Sequence, residues 1–259
     1  VETSVKEGKY IYCIMAAADL PGGTKTFKSL GIGGRDDEIY AVVYSDIAAV
    51  VSNSPIVAYS VSRENMIAHE KAIEEVMKEY TILPVRFCTI AKDEKTVKTI
   101  LEKGYGKFKD MLTKIEGKKE LGLKAVFNAD AVYGDIVEKH KDIKRLKEKL
   151  KDLPADKTYY ERVEIGRMVE NALGEEREIY KDDILSALSP LAIETKTNNT
   201  YGEKMIVNAA FLVEKQRETE FDQKVDELGA KYGDTLKFKY VGTLPPFNFV
   251  NLIIETGGY

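Results

Sequence analysis

Apolar and polar positions along the chain fall into two punctuated halves. YIYCIM (10 to 15) is a continuous apolar run of strand length. After the glycine-rich GIGG (31 to 34), the runs EIYAVVYS and IAAVVSNS meet at Asp46 as the arms of a hairpin. In SRENMIAHEKAIEEVMKEY, the residues Met66, His69, Ile73, Val76 and Tyr80 recur at steps of 3, 4, 3 and 4. That spacing predicts an amphipathic helix from Arg63 to about Tyr80, capped by Ser62, with His69 on the buried stripe. TILPVRFCTI (81 to 90) returns as a strand, and Pro84 puts it at a sheet edge or a bulge because proline cannot donate to a ladder. A second helix over 93 to 116 closes this half at Gly117. Strand, strand, strand, helix, strand, helix is a split βαβ order lacking its first crossover helix.

KELGLKAVFN (119 to 128) opens the second half, with Leu121, Leu123, Ala125 and Phe127 on one strand face. Asp130 or Asn128 then caps a long helix in which Ile136, Ile143, Leu146, Leu150 and Leu153 follow steps of 7, 3, 4 and 3, the seam for a partner helix. Pro154 breaks it. The partner runs from about Asp156 to Leu173 and faces it with Tyr159, Val163, Gly166 and Leu173, and a third short helix covers 181 to 188. LAIETKTN (191 to 198) and KMIVNAAFLVEK (204 to 215) predict antiparallel strands, followed by a helix over 217 to 232 and a strand over 235 to 242. The expected fold is α+β in two domains: 1–117, a modified ferredoxin-like domain, and 118–259, a ferredoxin-like α+β domain with a helical hairpin and an apolar tail. In that tail Leu244, Phe247, Phe249, Val250, Leu252, Ile253 and Ile254 are too apolar to stay in water. Burying three of them stabilises by roughly 5 to 8 kcal/mol before entropy, enough to dock the tail back on the first domain. The alternative is that it forms the last edge of its own domain.

Composition narrows the function. With 259 residues, 44% of them hydrophobic, the chain is long enough for two cores. Its 39 basic and 43 acidic residues leave a net charge of -4, so no global positive field holds a phosphate backbone. No apolar run reaches the ~18 residues of a membrane span, and residues 1 to 9 lack the core of a signal peptide. The expectation is a soluble, intracellular protein without nucleic acid or membrane partners. Its first residue, Val1, is expected to follow a processing or expression junction. Cys13 and Cys88 read as buried free thiols, although a disulfide between them is compatible with the sequence.

Candidate chemistry is sparse. A Cys88/His69 dyad lacks a nucleophile elbow and a glycine-rich oxyanion turn, so packing is the stronger reading for both. HEKAI (69 to 73) lacks the second histidine of a zinc-binding HExxH, and His140 stands in a charged helix rather than a ligand cluster. GIGGRDD is not a dinucleotide fingerprint. No metal and no cofactor are expected. From Lys139 to Asp152 seven basic residues outnumber three acidic ones, but the leucines keep heptad phase, the mark of a solvated hairpin. KFKYVGTLPPF only superficially matches an RNA-binding aromatic strand and lacks its central glycine spacing. Arg86, beside Ile82 and Cys88 on a strand, must meet a carboxylate, a carbonyl or water, and reads as an ion pair or interface clamp. Pro84, Arg86, Pro245, Pro246, Phe247 and Phe249 are the candidate partner-binding residues.

DIAAVVS (46 to 52), HEKAIEEVM (69 to 77), ILPVRFCT (82 to 89), VNAAFLVEK (207 to 215) and GTLPPFNFV (242 to 250), in that order, resemble the GvpF/GvpL gas vesicle protein family over nearly the whole chain. Leu244 stands where the family carries a tryptophan. The resemblance implies an N-terminal modified ferredoxin-like domain and a C-terminal α+β domain. It also implies a non-enzymatic accessory or minor structural protein of gas vesicle assembly, found in the cytoplasm and at the vesicle. The implied partners are the small hydrophobic wall subunit GvpA and other gas vesicle accessory proteins. A ferredoxin-like Cys/His enzyme and an RNA-binding module are the alternatives.

Overall fold

The computed structural model describes residues 6–20, 23–154 and 157–256. Val1, the Asp130 side chain expected as a cap and Asp156 expected as a helix start lie outside them. The chain divides into two compact units, Val1–Glu120 with Thr243–Tyr259, and Leu121–Gly242. This differs from a boundary at 117 with the tail in the second domain. The tail groups with the first unit, where Phe247 lies against His69, Asn248 bonds Glu120 and Asn251 meets Arg86.

In the first unit β1 (Glu7–Ala16), β2 (Thr26–Leu30), β3 (Glu38–Tyr44), β4 (Ile47–Pro55) and β5 (Ile82–Pro84) lie in the order β2-β3-β4-β1-β5, and the two-residue β6 (Ile90–Ala91) also pairs with β1. β1 pairs antiparallel with β4, β5 and β6, as β3 does with β2 and β4. β3 and β4 form the expected hairpin, with Ser45 at φ 55 in the turn. A register shift between Ile11 and Cys13 breaks the alternation of β1, so consecutive Tyr12 and Cys13 join one core cluster. That cluster includes Ala72, Ile73 and Val76 of α1 (Arg63–Met77), whose cap Ser62 accepts the Asn65 N–H at 3.2 Å. Met66, expected on the buried stripe, is 39% exposed, while His69 is 2% exposed. α2 (Glu94–Ile115) packs on β1, β3 and β4, and its cap Asp93 accepts the Thr96 N–H at 2.7 Å.

In the second unit β7 (Lys118–Phe127), β8 (Glu194–Thr197), β9 (Met205–Glu214) and β10 (Leu236–Leu244) take the order β10-β7-β9-β8. Leu121, Leu123, Ala125 and Phe127 are buried, as their alternation requires. The long first helix of the hairpin is in fact two, α3 (Ala129–Lys139) and α4 (Lys141–Leu150), separated by His140 in an extended conformation. No proline or glycine marks that break. On either side of it Ile136, Ile143 and Leu150 are all buried, whereas Leu153 is 46% exposed. The segments expected at 156–173 and 181–188 are one helix, α5 (Tyr159–Leu188), anchored by buried Ala172, Leu173, Ile184 and Leu188. Asn128 precedes α3 without a side-chain cap bond. α6 (Glu218–Tyr232) buries Phe221, Val225 and Leu228 against this core.

Candidate interaction site

TILPVRFCTI is not one strand. β5 ends at Pro84, the sheet edge that a proline tolerates, and residues 85–89 loop out before β6 resumes the pairing. Arg86 therefore does not sit on a strand face beside Ile82 and Cys88. The loop is pinned at both ends: the Val85 N–H donates to the Tyr12 carbonyl at 3.0 Å, and the Ile11 N–H to the Thr89 carbonyl at 2.9 Å. Cys88 holds φ 64, a left-handed conformation that costs a non-glycine residue about 1 to 2 kcal/mol. Its N–H is held by the Tyr10 hydroxyl at 2.9 Å.

His69 sits at the centre of this arrangement, ringed by Tyr10, Tyr12, Phe87 and Phe247 at centroid distances of 5.7, 5.9, 5.7 and 6.5 Å. Its Nε2 lies 3.2 Å from the Val85 carbonyl and its Nδ1 lies 3.0 Å from the Tyr10 hydroxyl. A carbonyl only accepts, so Nε2 carries the proton and Nδ1 accepts from Tyr10. Burial lowers the imidazole pKa to about 4, against the smaller opposing pull of the Val85 carbonyl. Burial also raises the Tyr10 phenol above its ordinary value, and pushes Tyr12 up to about 12. Both imidazole nitrogens are thus engaged by groups other than the Cys88 thiol. The Cys88 Sγ instead accepts the Tyr59 N–H at 3.3 Å, so the dyad required of a thiol nucleophile is not assembled.

GIGG has a structural task here. The Ile32 N–H donates to the Tyr12 hydroxyl at 2.9 Å, and Gly33, at φ 79, would drive a Cβ to 2.9 Å from the Tyr59 ring. Both cysteines are free, with Cys13 wholly buried in apolar surroundings that raise its pKa.

The tail comes to the same side of the first unit. Phe247, Phe249 and Val250 N–H groups turn back onto the Pro245 and Pro246 carbonyls at 2.7 to 3.1 Å. Asn248 clamps Glu120, a carboxylate only 2% exposed: its N–H reaches Oε2 at 3.0 Å and its Nδ2 reaches Oε1 at 2.6 Å. The Arg86 Nη2 donates to Asn251 Oδ1 at 3.4 Å, so its described partner is a side-chain amide oxygen and not an ion pair. Of the six candidate residues, Pro84, Pro245, Pro246 and Phe249 are buried in the fold. Arg86 is exposed and Phe247 is 43% exposed. Val57 at 42% and Met66, one helical turn before His69, add apolar surface linked to this cluster. Sequence reasoning missed Glu120, Asn248 and the tyrosine pair. Glu120 shares a strand parity with Gly122 and Lys124, which reads as solvent-facing, and only the tail's return buries it.

These features define a two-unit α+β protein whose buried polar centre is internally satisfied. The sequence model of the family described as Gas vesicle synthesis protein GvpL/GvpF matches residues 8–251, and the chain belongs to that family. Gas vesicle protein F of Dolichospermum flosaquae is 27% identical over 87% of this chain and 93% of its own length. Gas vesicle protein F1 of Halobacterium salinarum is 26% identical over 96% and 95%. The crystal structure of GvpF from Anabaena sp. superposes with a TM-score of 0.79 at 26% identity, covering 95% of this chain and 99% of that one. GvpF from Microcystis aeruginosa, at 23% identity and a TM-score of 0.71 over 95% and 99%, shares the fold. The relatives bear the names of gas vesicle proteins, not of enzymes, and among the described residues no helix is long and apolar enough to cross a membrane.

One consequence concerns the thiols. The double variant Cys13→Ser, Cys88→Ser is expected to stay folded and to support vesicle formation, losing about 1 to 3 kcal/mol, chiefly from the unpartnered hydroxyl at buried position 13. Circular dichroism, thermal melting and vesicle yield check this. A folded variant that makes no vesicles would give a thiol a direct role.

Proposed function

We propose that this protein is a non-enzymatic accessory or minor structural protein of gas vesicle assembly, acting in the cytoplasm and at the vesicle. It binds the hydrophobic wall subunit GvpA and other gas vesicle accessory proteins. Both units are read as ferredoxin-like. In the second, strands β7, β8, β9 and β10 with helices between the first and second and between the third and fourth take the order 4-1-3-2. In the first, β3-β4-β1-β5 repeats that order, with β2 and a 3-10 turn in place of the first helix.

The observation that carries the binding role is the exposed surface around His69. Phe247 lies against His69, and Val57, Met66 and Arg86, joined to the same cluster through Cys88, α1 and the tail, are also exposed, on a base whose hydrogen bonds are already satisfied. A wall subunit rich in apolar side chains gains most from covering such area, and a preorganised base keeps the ordering cost low. The engaged imidazole speaks against the Cys/His enzyme, and the net charge of -4 against the RNA module.

Co-expression of the full chain with GvpA, read by pull-down and by a split reporter, tests this reading. Phe247→Ser combined with Arg86→Glu is expected to weaken capture of GvpA at least tenfold while Tm moves by no more than a few degrees, since both side chains are exposed. Undiminished capture by the folded double variant would place the wall-subunit contact elsewhere.

A further inference from the structure

A trough runs along α5 in the second unit. Three contiguous clefts of about 480, 940 and 790 Å³ share lining residues and extend from Arg162 to Ile179. At about 1.5 Å per residue, those 17 steps span about 26 Å, the length of four to five helical turns. Val137, Ile165, Val169 and Leu173 form its floor, backed by the unit's core. The stripe Tyr159, Val163, Gly166 and Leu173, expected to face the other arm of the helical hairpin, turns only Leu173 into this chain. Tyr159 is 64% exposed and Val163 54% exposed. Gly134, Gly166 and Gly174 stand inside helices, where glycine is unfavourable, yet a Cβ on any of them would meet nothing within 4 Å. Among the described residues, no packing requires them.

Charge divides the trough. At the α4 end four cations, Lys144, Lys147, Lys151 and Arg162, face two carboxylates, Glu138 and Glu148. Lys144 is paired with Glu138 at 2.6 Å and Arg162 donates to the Leu150 and Leu153 carbonyls, whereas no ion pair engages Lys147 or Lys151 among the described residues. At the other end Glu170, Glu175, Glu178 and Glu203 outnumber Arg177, whose Nε is buried without an acceptor. A second copy of this chain is a poor occupant. Pairing two α5 helices antiparallel, the arrangement that would match opposite ends, sets Gly166 against Gly174 and brings Glu170, midway between them, onto its own symmetry mate.

We infer that this trough docks an amphipathic helix of another protein, four to five turns long, with an apolar face for the floor, acidic side chains at the end beside Lys147 and Lys151, and basic side chains at the end beside Glu170 and Glu203. The mode is a helix laid in a groove, with the glycines admitting its backbone closely. The inference stands apart from the wall-subunit reading, because it concerns the second unit and none of the residues around His69.

The test titrates the full chain into a fluorescein-labelled 18-residue amphipathic peptide with a leucine face, glutamates at one end and lysines at the other. Saturable binding is expected, at least fivefold tighter than for peptides of the same apolar face with both ends acidic or both ends basic. Gly166→Leu fills the trough and, by replacing a helical glycine, is expected to leave Tm unchanged or raised while lowering affinity more than tenfold. Lys147→Glu with Lys151→Glu is expected to lower affinity for the bipolar peptide and raise it for the peptide with two basic ends. Absence of saturable binding, or equal affinity for wild type and Gly166→Leu, overturns the inference. So does self-association of the chain that Gly166→Leu abolishes, which would make the occupant a second copy.

Discussion

Replacing Asn248 with alanine is expected to cost the first unit about 2 to 4 kcal/mol, although the residue lies in a tail with no regular secondary structure. Glu120 is buried and accepts two hydrogen bonds from Asn248, one of them from its side-chain amide. Removing a donor from a buried carboxylate forfeits far more than the bond's net worth, because the charge stays desolvated. Asn248→Asp should cost more still, since it sets a second carboxylate against the first. Adding Glu120→Gln to Asn248→Asp is expected to recover a large part of that loss, because the new amide can donate to the new carboxylate. Denaturant midpoints of the four proteins decide this, and a double variant no more stable than Asn248→Asp alone would sink it. Truncation after Gly242 removes the same clamp together with the buried Phe249, Val250 and Leu252, and should increase proteolysis within residues 1–117.

The second large effect is a pH dependence centred on His69. Its folded pKa is lowered by burial to about 4 from an ordinary 6.5. Between those values the unfolded chain binds a proton that the folded one does not, so stability is full above about pH 6.5 and falls as pH drops towards 4. The integrated loss is about 3 kcal/mol. Carboxylates held below their ordinary range by partners, such as Asp46 beside Lys109 and Tyr105, act at lower pH and do not mimic it. His69→Gln keeps a donor for the Val85 carbonyl and an acceptor for the Tyr10 hydroxyl but does not titrate. Its unfolding free energy is expected to be nearly flat over that window. Parallel pH profiles for wild type and His69→Gln would show that the imidazole is not the group responsible.

Local pattern carried most of the secondary structure. The 3.6-residue stripe around His69 and the cap Ser62 are short-range features, set by residues within one or two turns, and His69, Ile73 and Val76 are buried as the stripe requires, although Met66 is not. The alternation of Leu121 to Phe127 is equally local. The hairpin was less legible, because a heptad seam states that apolar residues share a face but not whether the helix beneath stays straight. At His140 the backbone turns extended although Ile136 and Ile143 keep heptad phase, and the helix expected to stop at about Leu173 runs on to Leu188. The apparent continuity of TILPVRFCTI hid a loop for the same reason. Apolar content predicts burial, and burial of Val85 is achieved by a bond to Tyr12 rather than by a strand ladder.

By itself the sequence determined the mixed helix-and-sheet class, the buried position of His69 and the family, all of which rest on short-range order or on motifs read in register. Only the tertiary structure decided that the tail packs with the first unit and buries Glu120, that both nitrogens of His69 are taken by Tyr10 and Val85, and that Tyr159 and Val163 face outward. Each of these joins residues tens of positions or more apart, or turns on which of two faces meets a neighbour. Periodicity names the face, but only the neighbour that arrives to cover it, or fails to, fixes its burial, its hydrogen bonds and its charge.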